Sequence, residues 1–306
     1  MIILFTGSFQ PSFEHISRLE QHDIEVLYLR DERVNLKKSL NIDVSLIDAI
    51  VCNSLFLYNN IVEFANLKFI QLISAGFDRI DLDYCNEFGI SVYSAKGVYS
   101  IPMAEWVILK ILEIYKNTSF FIYNQKKKLW KKDRNLLELY GKTATIVGYG
   151  DIGKETAKRL KAFGVHINAV DTYLTNADYC DQSYLINDIE VPLSKSDIVI
   201  LTLPLNEHTH HMFSDKLFYA IKDNAVLTNV SRGAIIDENS LIKYIGKFRG
   251  VALDVFEEEP LNVNSLLWDM NNVVINPHNS FVSENNNNRL FQLLEKNLFD
   301  FMECNH

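Results

Sequence analysis

The sequence predicts an α/β protein built from two doubly wound, parallel-sheet domains, and three observations lead there. Residues 1 to 97 alternate short apolar runs with helical patterns, the same alternation resumes with a new rhythm from Lys142, and a glycine-rich turn at Gly148–Gly153 lies between a strand and a helix. Strands that alternate with helical stretches indicate parallel sheets covered by helices. A chain of 306 residues, 48% of them apolar, suits two domains. At that size roughly three quarters of the unfolded surface can be buried.

In the first half the expected strands are Ile2–Phe5, Glu25–Leu29, Ala49–Asn53, Phe69–Ile73 and Ile90–Val92. The opening run lacks a basic lead-in and a long apolar core, so it reads as a strand and not as a secretion signal. No glycine fingerprint falls in this half. Pro102 stands just inside a strongly patterned helix expected to run to about Phe121, the place an N1 proline prefers. Its most apolar part, Ile101 to Tyr115, carries Glu105, Lys110 and Glu113 and is too short to span a bilayer. A basic stretch from Lys126 to Arg134 follows, read as a solvated arm with Trp130 packed on a neighbour, in preference to an anion-binding patch.

From Lys142 the expected strands are Thr143–Val147, Ile167–Asp171, Ile198–Leu203, Ala225–Val230, Val251–Val255 and Val273–Ile275. The last segment, Glu284 to Cys304, reads as a helix with Leu290, Phe291, Leu294, Leu298 and Phe301 on its apolar side. The Asn285–Asn288 run falls at its start and reads as a turn or first helical turn. A net charge of −9 and a pI near 5.4 argue against nucleic acid or a membrane surface as partner. Cys52, Cys85, Cys180 and Cys304 lie far apart with no C-x-x-C spacing. They point to reduced thiols in a cytoplasmic protein, not to a disulfide framework or a zinc site.

The stretch Thr145 to Asp171 carries the most chemistry. It reads Gly148-Tyr149-Gly150-Asp151-Ile152-Gly153, then an amphipathic segment, then an apolar run ending in an acid. Gly148 allows the tight turn, Gly150 lets a pyrophosphate approach the backbone, and Gly153 lets helix and strand pack closely. The helix that starts near Asp151 aims free N–H groups at the phosphates. Asp171 lies 18 positions after Gly153, near the ~20 expected for an acid that bonds a ribose 2′-OH. That carboxylate repels a 2′-phosphate, and Thr172-Tyr173-Leu174-Thr175 supply no Arg or Lys. NAD is therefore expected over NADP.

Ligands of open α/β sheets bind outside the carboxyl ends of strands. Three expected strand ends there carry polar groups: Asn229-Val230-Ser231-Arg232-Gly233, Asp254 to Glu259-Pro260, and Asn276-Pro277-His278. Singly each has a duller reading: a structural ion pair for Arg232, a capped loop for His278, a solvated face for Glu257–Glu259. Together, beside a nicotinamide, they suit hydride transfer to a 2-keto acid. His278 can give the oxygen its proton, a carboxylate beside it favours the imidazolium, and Arg232 can hold the substrate carboxylate. His208-Thr209-His210-His211 is weighed as a metal site and set aside, because no carboxylate or cysteine lies close in sequence.

These segments resemble the D-isomer-specific 2-hydroxyacid dehydrogenase family over nearly the whole chain. The family's signatures appear as Gly148–Gly153, Asn229–Gly233, Ala252-Leu253-Asp254-Val255-Phe256 with Glu259-Pro260, and Pro277-His278. Ser74-Ala75-Gly76-Phe77-Asp78-Arg79-Ile80-Asp81 is similar to its substrate-carboxylate loop, and Leu203-Pro204-Leu205 with Thr209 to its cofactor loop. The resemblance implies a Rossmann NAD-binding domain, residues 98–283, inserted in a flavodoxin-like substrate domain made of 1–97 and 284–306. It implies Arg232, Glu259 and His278 as the catalytic set, with Glu259 singled out because it precedes Pro260. Ser74, Ala75 and Gly76 join Arg232 and His278 around the substrate, whose carboxylate meets the Ala75 and Gly76 N–H groups.

Around the cofactor the resemblance implies Gly148, Gly150, Asp151, Ile152 and Gly153, with Asp171 on the ribose. Leu203, Pro204 and Thr209 follow on the cofactor loop. Val230, Ser231, Arg232 and His278 complete the set with Asp254, which is assigned to the nicotinamide carboxamide. The pair of chains is expected to be a homodimer joined through the cofactor domains, the Trp130 arm reaching the partner. Formate is disfavoured, since related formate dehydrogenases carry Gln where Glu259 stands, and no regulatory extension is expected beyond residue 306. Two departures stand out: Asn279-Ser280-Phe281 after the histidine, expected to alter the pocket, and Thr145 where relatives often have Gly. The alternative is an NAD(H)-sensing module similar to the family's corepressor branch.

Overall fold

The apolar runs become two separate sheets, parallel throughout. The computed structural model describes residues 1–7, 9–36, 43–173 and 178–304. Leu174 and Thr175, read above for their lack of positive charge, lie outside the described residues, as does His306. By internal contacts the chain falls into two units, Met1–Tyr99 with Ser283–His306, and Ser100–Val282.

In the first unit β1 (Ile2–Thr6), β2 (Glu25–Leu29), β3 (Ala49–Cys52), β4 (Phe69–Leu72) and β5 (Ser91–Tyr93) form a sheet ordered β2-β1-β3-β4-β5. This is the flavodoxin order, with its switch point between β1 and β3. Every residue of β3 and β4 is buried, as strands covered on both faces must be. Ser12 starts the helix Phe13–Glu20: its Oγ accepts the His15 N–H while His15 Nδ1 accepts the Ser12 N–H, each at 3.2 Å. The helix Asn286–Cys304 covers the sheet from the other end of the chain. Its Leu290, Phe291, Leu294, Leu298 and Phe301 share a core with Ile3, Phe5, Val51 and Phe69. That apolar stripe therefore belongs to the first unit although 183 residues intervene.

In the second unit the strands are β6 (Thr143–Val147), β7 (His166–Asp171), β8 (Gln182–Leu185), β9 (Ile198–Leu201), β10 (Val226–Asn229), β11 (Gly250–Leu253) and β12 (Val273–Ile275). Their order is β12-β11-β10-β9-β6-β7-β8, the dinucleotide-binding order extended by one strand, and it reverses between β6 and β9. Strand β8 is absent from the sequence-based expectation. It is an edge strand, mostly exposed, and so lacks an apolar run. The helix expected from Pro102 to Phe121 is two helices, Ser100–Tyr115 and Thr118–Lys126. Asn117 breaks it at φ +49°, a left-handed conformation that Asn tolerates, and its Nδ2 donates to Asp133 Oδ2 at 2.8 Å. Helix formation begins at Ser100, so Pro102 stands in the first turn and not at N1. Trp130, expected to be packed, is 98% exposed in the chain. No helix among the described residues is long and apolar enough to cross a membrane.

Candidate active site

The turn after β6 has no room for a side chain at two of its glycines and open space at the third. Gly148 sits at φ +89°, and a Cβ there would lie 2.7 Å from Leu203 N. At Gly153 a Cβ would lie 2.5 Å from Gly148 O. At Gly150 it would meet nothing within 4 Å, so the backbone presents an open face there. Gly150 caps the helix Asp151–Ala162, whose first N–H groups, from Asp151 and Ile152 on, supply the positive end of its dipole. Asp171 ends β7 and folds back on this turn: Oδ2 accepts the Tyr149 N–H and Oδ1 the Thr172 N–H, both at 2.7 Å. The Thr172 hydroxyl also donates to Oδ1, at 3.2 Å, so of a carboxylate's roughly four lone pairs one is left for a ligand hydroxyl.

Across the switch point, the segment after β9 runs through Leu203 and Pro204 to Thr209. Thr209 Oγ1 donates to Pro204 O at 2.7 Å and accepts the Asn206 N–H at 2.8 Å, closing this loop on itself. His210 and His211 stack beyond it with ring centroids 4.1 Å apart. Among the described residues no group of three or more His, Cys, Asp or Glu could hold a metal ion.

The carboxyl ends of β10, β11 and β12, adjacent strands, carry Arg232, Glu259 and His278. Asn229 Oδ1 accepts from the Ser231 N–H at 3.0 Å and the Ser231 hydroxyl at 2.6 Å, while its Nδ2 donates to Arg232 O at 3.0 Å. These bonds shape the turn in which Val230 is buried and Arg232 emerges, with Nη1 2.9 Å from Ser231 O. Gly233 follows, pressed on the next loop: a Cβ there would fall 1.8 Å from the Phe256 carbonyl carbon.

His278 and Glu259 form a pair. His278 Nδ1 lies 2.7 Å from Glu259 Oε2, and Glu259 Oε1 accepts the Phe256 N–H at 3.0 Å. One oxygen is thus fixed to the backbone and the other orients the imidazole, leaving Nε2 for a ligand. The side chains are 41% and 36% exposed, so solvent reaches both. His278 is held at φ +48°, an uncommon conformation that costs a non-glycine residue roughly 1–2 kcal/mol. Its N–H donates to Asp254 O at 2.8 Å and Asn276 O at 3.0 Å, which offsets that cost.

Asp254 anchors this loop. It is buried, and Oδ1 accepts from Asn276 Nδ2, the Asn279 N–H (2.8 Å) and the Ser280 N–H (3.0 Å), while Oδ2 accepts the Ser280 hydroxyl. The sequence marks Asn276 and Ser280 as polar residues near His278 but does not show that they bind Asp254, 22 and 26 positions before them. The unusual Asn279-Ser280-Phe281 segment now has a local use, since Ser280 fastens the loop. Phe281 lies edge-on to the His278 ring at 6.1 Å between centroids.

In the first unit, Ser74, Ala75 and Gly76 follow β4. Ser74 Oγ donates to Gly76 O at 2.9 Å, and the Ser74 carbonyl accepts the Ala95 N–H at 2.8 Å. Arg79, further along, donates from Nη1 to Ser54 Oγ at 3.3 Å and links this loop to the one after β3.

Residues 108–280 match the family model described as D-isomer specific 2-hydroxyacid dehydrogenase, NAD binding domain. The chain is 36% identical over 222 residues to a D-3-phosphoglycerate dehydrogenase of Methanocaldococcus jannaschii, a match that takes in 71% of this chain but 42% of that protein. It is 34% identical over 248 residues to a glyoxylate reductase of Thermofilum pendens, covering 76% of this chain and 71% of the relative. A crystal structure of a glyoxylate reductase from Paecilomyes thermophila is similar with a TM-score of 0.82 and 26% identity, over 97% of this chain and 94% of that one. The chain belongs to the D-isomer-specific 2-hydroxyacid dehydrogenase family and carries that family's NAD-binding domain.

Proposed function

We propose that the protein interconverts a 2-keto acid and a D-2-hydroxy acid with NAD(H), using Arg232, Glu259 and His278. The observation that carries this reading is the His278–Glu259 pair at 2.7 Å, buttressed by the Phe256 N–H on the other carboxylate oxygen. The glycine turn fits the cofactor: Gly150 opens on free space where a pyrophosphate must approach, and Asp171 stands over the turn. Bound there, the nicotinamide supplies or takes up a hydride.

The chain's own groups do the rest. In reduction, negative charge gathers on the keto oxygen, and His278 delivers a proton to it from Nε2. Glu259, hydrogen-bonded to Nδ1, fixes the ring and stabilises the imidazolium that donates. Arg232 holds the substrate carboxylate and polarises the carbonyl, two tasks its forked, permanently charged guanidinium suits. In the other direction His278 takes the hydroxyl proton. Asp254 works from beneath, fastening the loop on which His278 stands. The first unit serves as the substrate domain in this reading, with Ser74, Ala75 and Gly76 on its substrate loop. The asymmetry of Asp171, an acid in a place where NADP needs a cation, favours NAD.

Two copies pair through their cofactor domains in this reading, and the 98% exposed Trp130 is the residue such a partner would cover. Four cysteines with no disulfide between them suit a reducing compartment such as the cytoplasm. The deciding experiment is steady-state NADH oxidation by the purified protein with glyoxylate, hydroxypyruvate, pyruvate and branched and aromatic keto acids. Turnover of at least one is expected. Tight NADH binding with no turnover of any member would replace this reading with that of a cofactor-sensing module.

A further inference from the structure

Two residues before Glu259, a second carboxylate meets a second histidine, and neither takes part in the proton transfer above. His211 Nε2 lies 3.1 Å from Glu257 Oε1. The same oxygen accepts the Glu238 N–H at 2.9 Å, and the Glu257 N–H in turn donates to Glu238 Oε1 at 2.8 Å. Three segments are tied at this point. His211 ends the cofactor loop, and its own N–H donates to Ala234 O, two residues past Arg232, at 2.7 Å. Glu238 opens the helix Glu238–Tyr244, and Glu257 lies on the loop after β11. Burial raises the Glu238 carboxyl; the Glu257 N–H opposes that, and the Glu257 and Glu258 charges add to it.

What the clasp encloses is the peptide between Phe256 and Glu257. On one side lies Gly233, so close that a Cβ would fall 2.0 Å from Phe256 O and 2.4 Å from Glu257 N. On the other, the Phe256 N–H holds Glu259, which holds His278. A single stretch of backbone is therefore the seat for both the neighbour of Arg232 and the anchor of the acid–base pair. We propose that His211 and Glu257 are positioning residues, which fix this seat and so set the spacing between the Arg232 guanidinium and the His278 imidazole. The inference rests on the assignment of those two groups to the reaction. Its size follows from geometry, since a misplacement of about 1 Å can cost ~10²-fold in rate.

The test is kinetic, on the full chain, with rates expressed per NADH-binding site so that misfolded protein does not count. His211→Ala and Glu257→Ala are each expected to lower kcat/KM for the best keto acid by about 10- to 100-fold while NADH affinity holds. The double variant should lose no more than the worse single one, because one interaction is removed twice. Glu257→Gln keeps an acceptor oxygen for the Glu238 N–H and the imidazole, and should recover most of the loss. Alanine variants that match the wild type per binding site overturn the proposal, and so does a loss that merely follows NADH affinity. A wild type that reduces no keto acid fails the reaction assignment itself, and the clasp's role with it. An active wild type equalled by its alanine variants fails the clasp alone.

Discussion

The two sheets share an all-parallel, doubly wound plan, and in both an acid at or just past the end of the second strand returns to the turn after the first. In the second unit that acid is Asp171, which touches the turn at the Tyr149 N–H and stands beside the open face of Gly150. In the first unit it is Glu32. Its Oε1 accepts from Thr6 Oγ1 at 2.8 Å and the Asn53 N–H at 2.7 Å, and its Oε2 accepts the Ser54 N–H at 2.6 Å. Gly7, at φ +72°, has that carboxylate against it: a Cβ would fall 2.9 Å from Glu32 Oε1. At the first turn a carboxylate stands against the glycine; at the second the space beside Gly150 is open. Topology supplies a crevice in both sheets, and what fills the space beside the turn glycine sets them apart.

If chemistry belongs to the second sheet's carboxyl edge, His278 is where the comparison breaks most visibly. His278→Gln is expected to lower kcat by about 10²- to 10⁴-fold, the usual worth of a positioned acid. NADH binding, followed by fluorescence, should survive, because the glycine turn lies on other strands. A variant that reduces keto acids at the wild-type rate would remove the acid from the mechanism.

The two acids give the next largest contrast. Asp171→Ala should cut the NAD-over-NADP ratio of kcat/KM by roughly 10- to 100-fold, since a hydrogen bond to a charged group is worth about 1.5–3 kcal/mol. Glu32→Gln should leave that ratio alone and instead cost about 1–3 kcal/mol of stability, the penalty of mismatched buried donors and acceptors. A change in cofactor choice on altering Glu32 would show that the first turn also sees the nucleotide.

The same contrast explains what could be read from the chain before any fold was in hand. Apolar runs announced most strands, above all Ile198–Leu201 and Ala49–Cys52, where burial on both faces demands them. The edge strand β8, wet on both sides, has no such demand and gave no signal. Arg232 and His278 stood out as polar residues placed just after those runs. The partners that hold them did not, because the contacts are long-range: Ser280 reaches Asp254 across 26 positions. Glu257, within what looked like a solvated acidic run, meets His211, a residue weighed as a metal ligand and set aside. Side chains whose work is to join loops leave no periodic trace.

The smallest effect lies at the opposite, amino edge of the second sheet, where an acid has a purely structural task. Asp197 precedes β9; its Oδ2 accepts the Thr143 N–H at 3.0 Å and its Oδ1 accepts from Lys222 Nζ at 2.7 Å. Burial pushes its carboxyl up, but Lys222 and the Thr143 N–H more than offset this and hold it below the usual carboxylate range. A carboxyl lowered by folding stabilises the native state above its unfolded pKa, about pH 4, and loses that contribution as pH falls through the lowered value. Asp197→Asn should therefore cost about 1–2 kcal/mol at neutral pH, with the gap to the wild type narrowing in urea titrations below about pH 4. Because the residue lies far along its strand from the reacting edge, kcat/KM should not change with it. A loss of activity at full stability would mean that the two edges of this sheet are mechanically coupled, and that the division of labour drawn between them is too sharp.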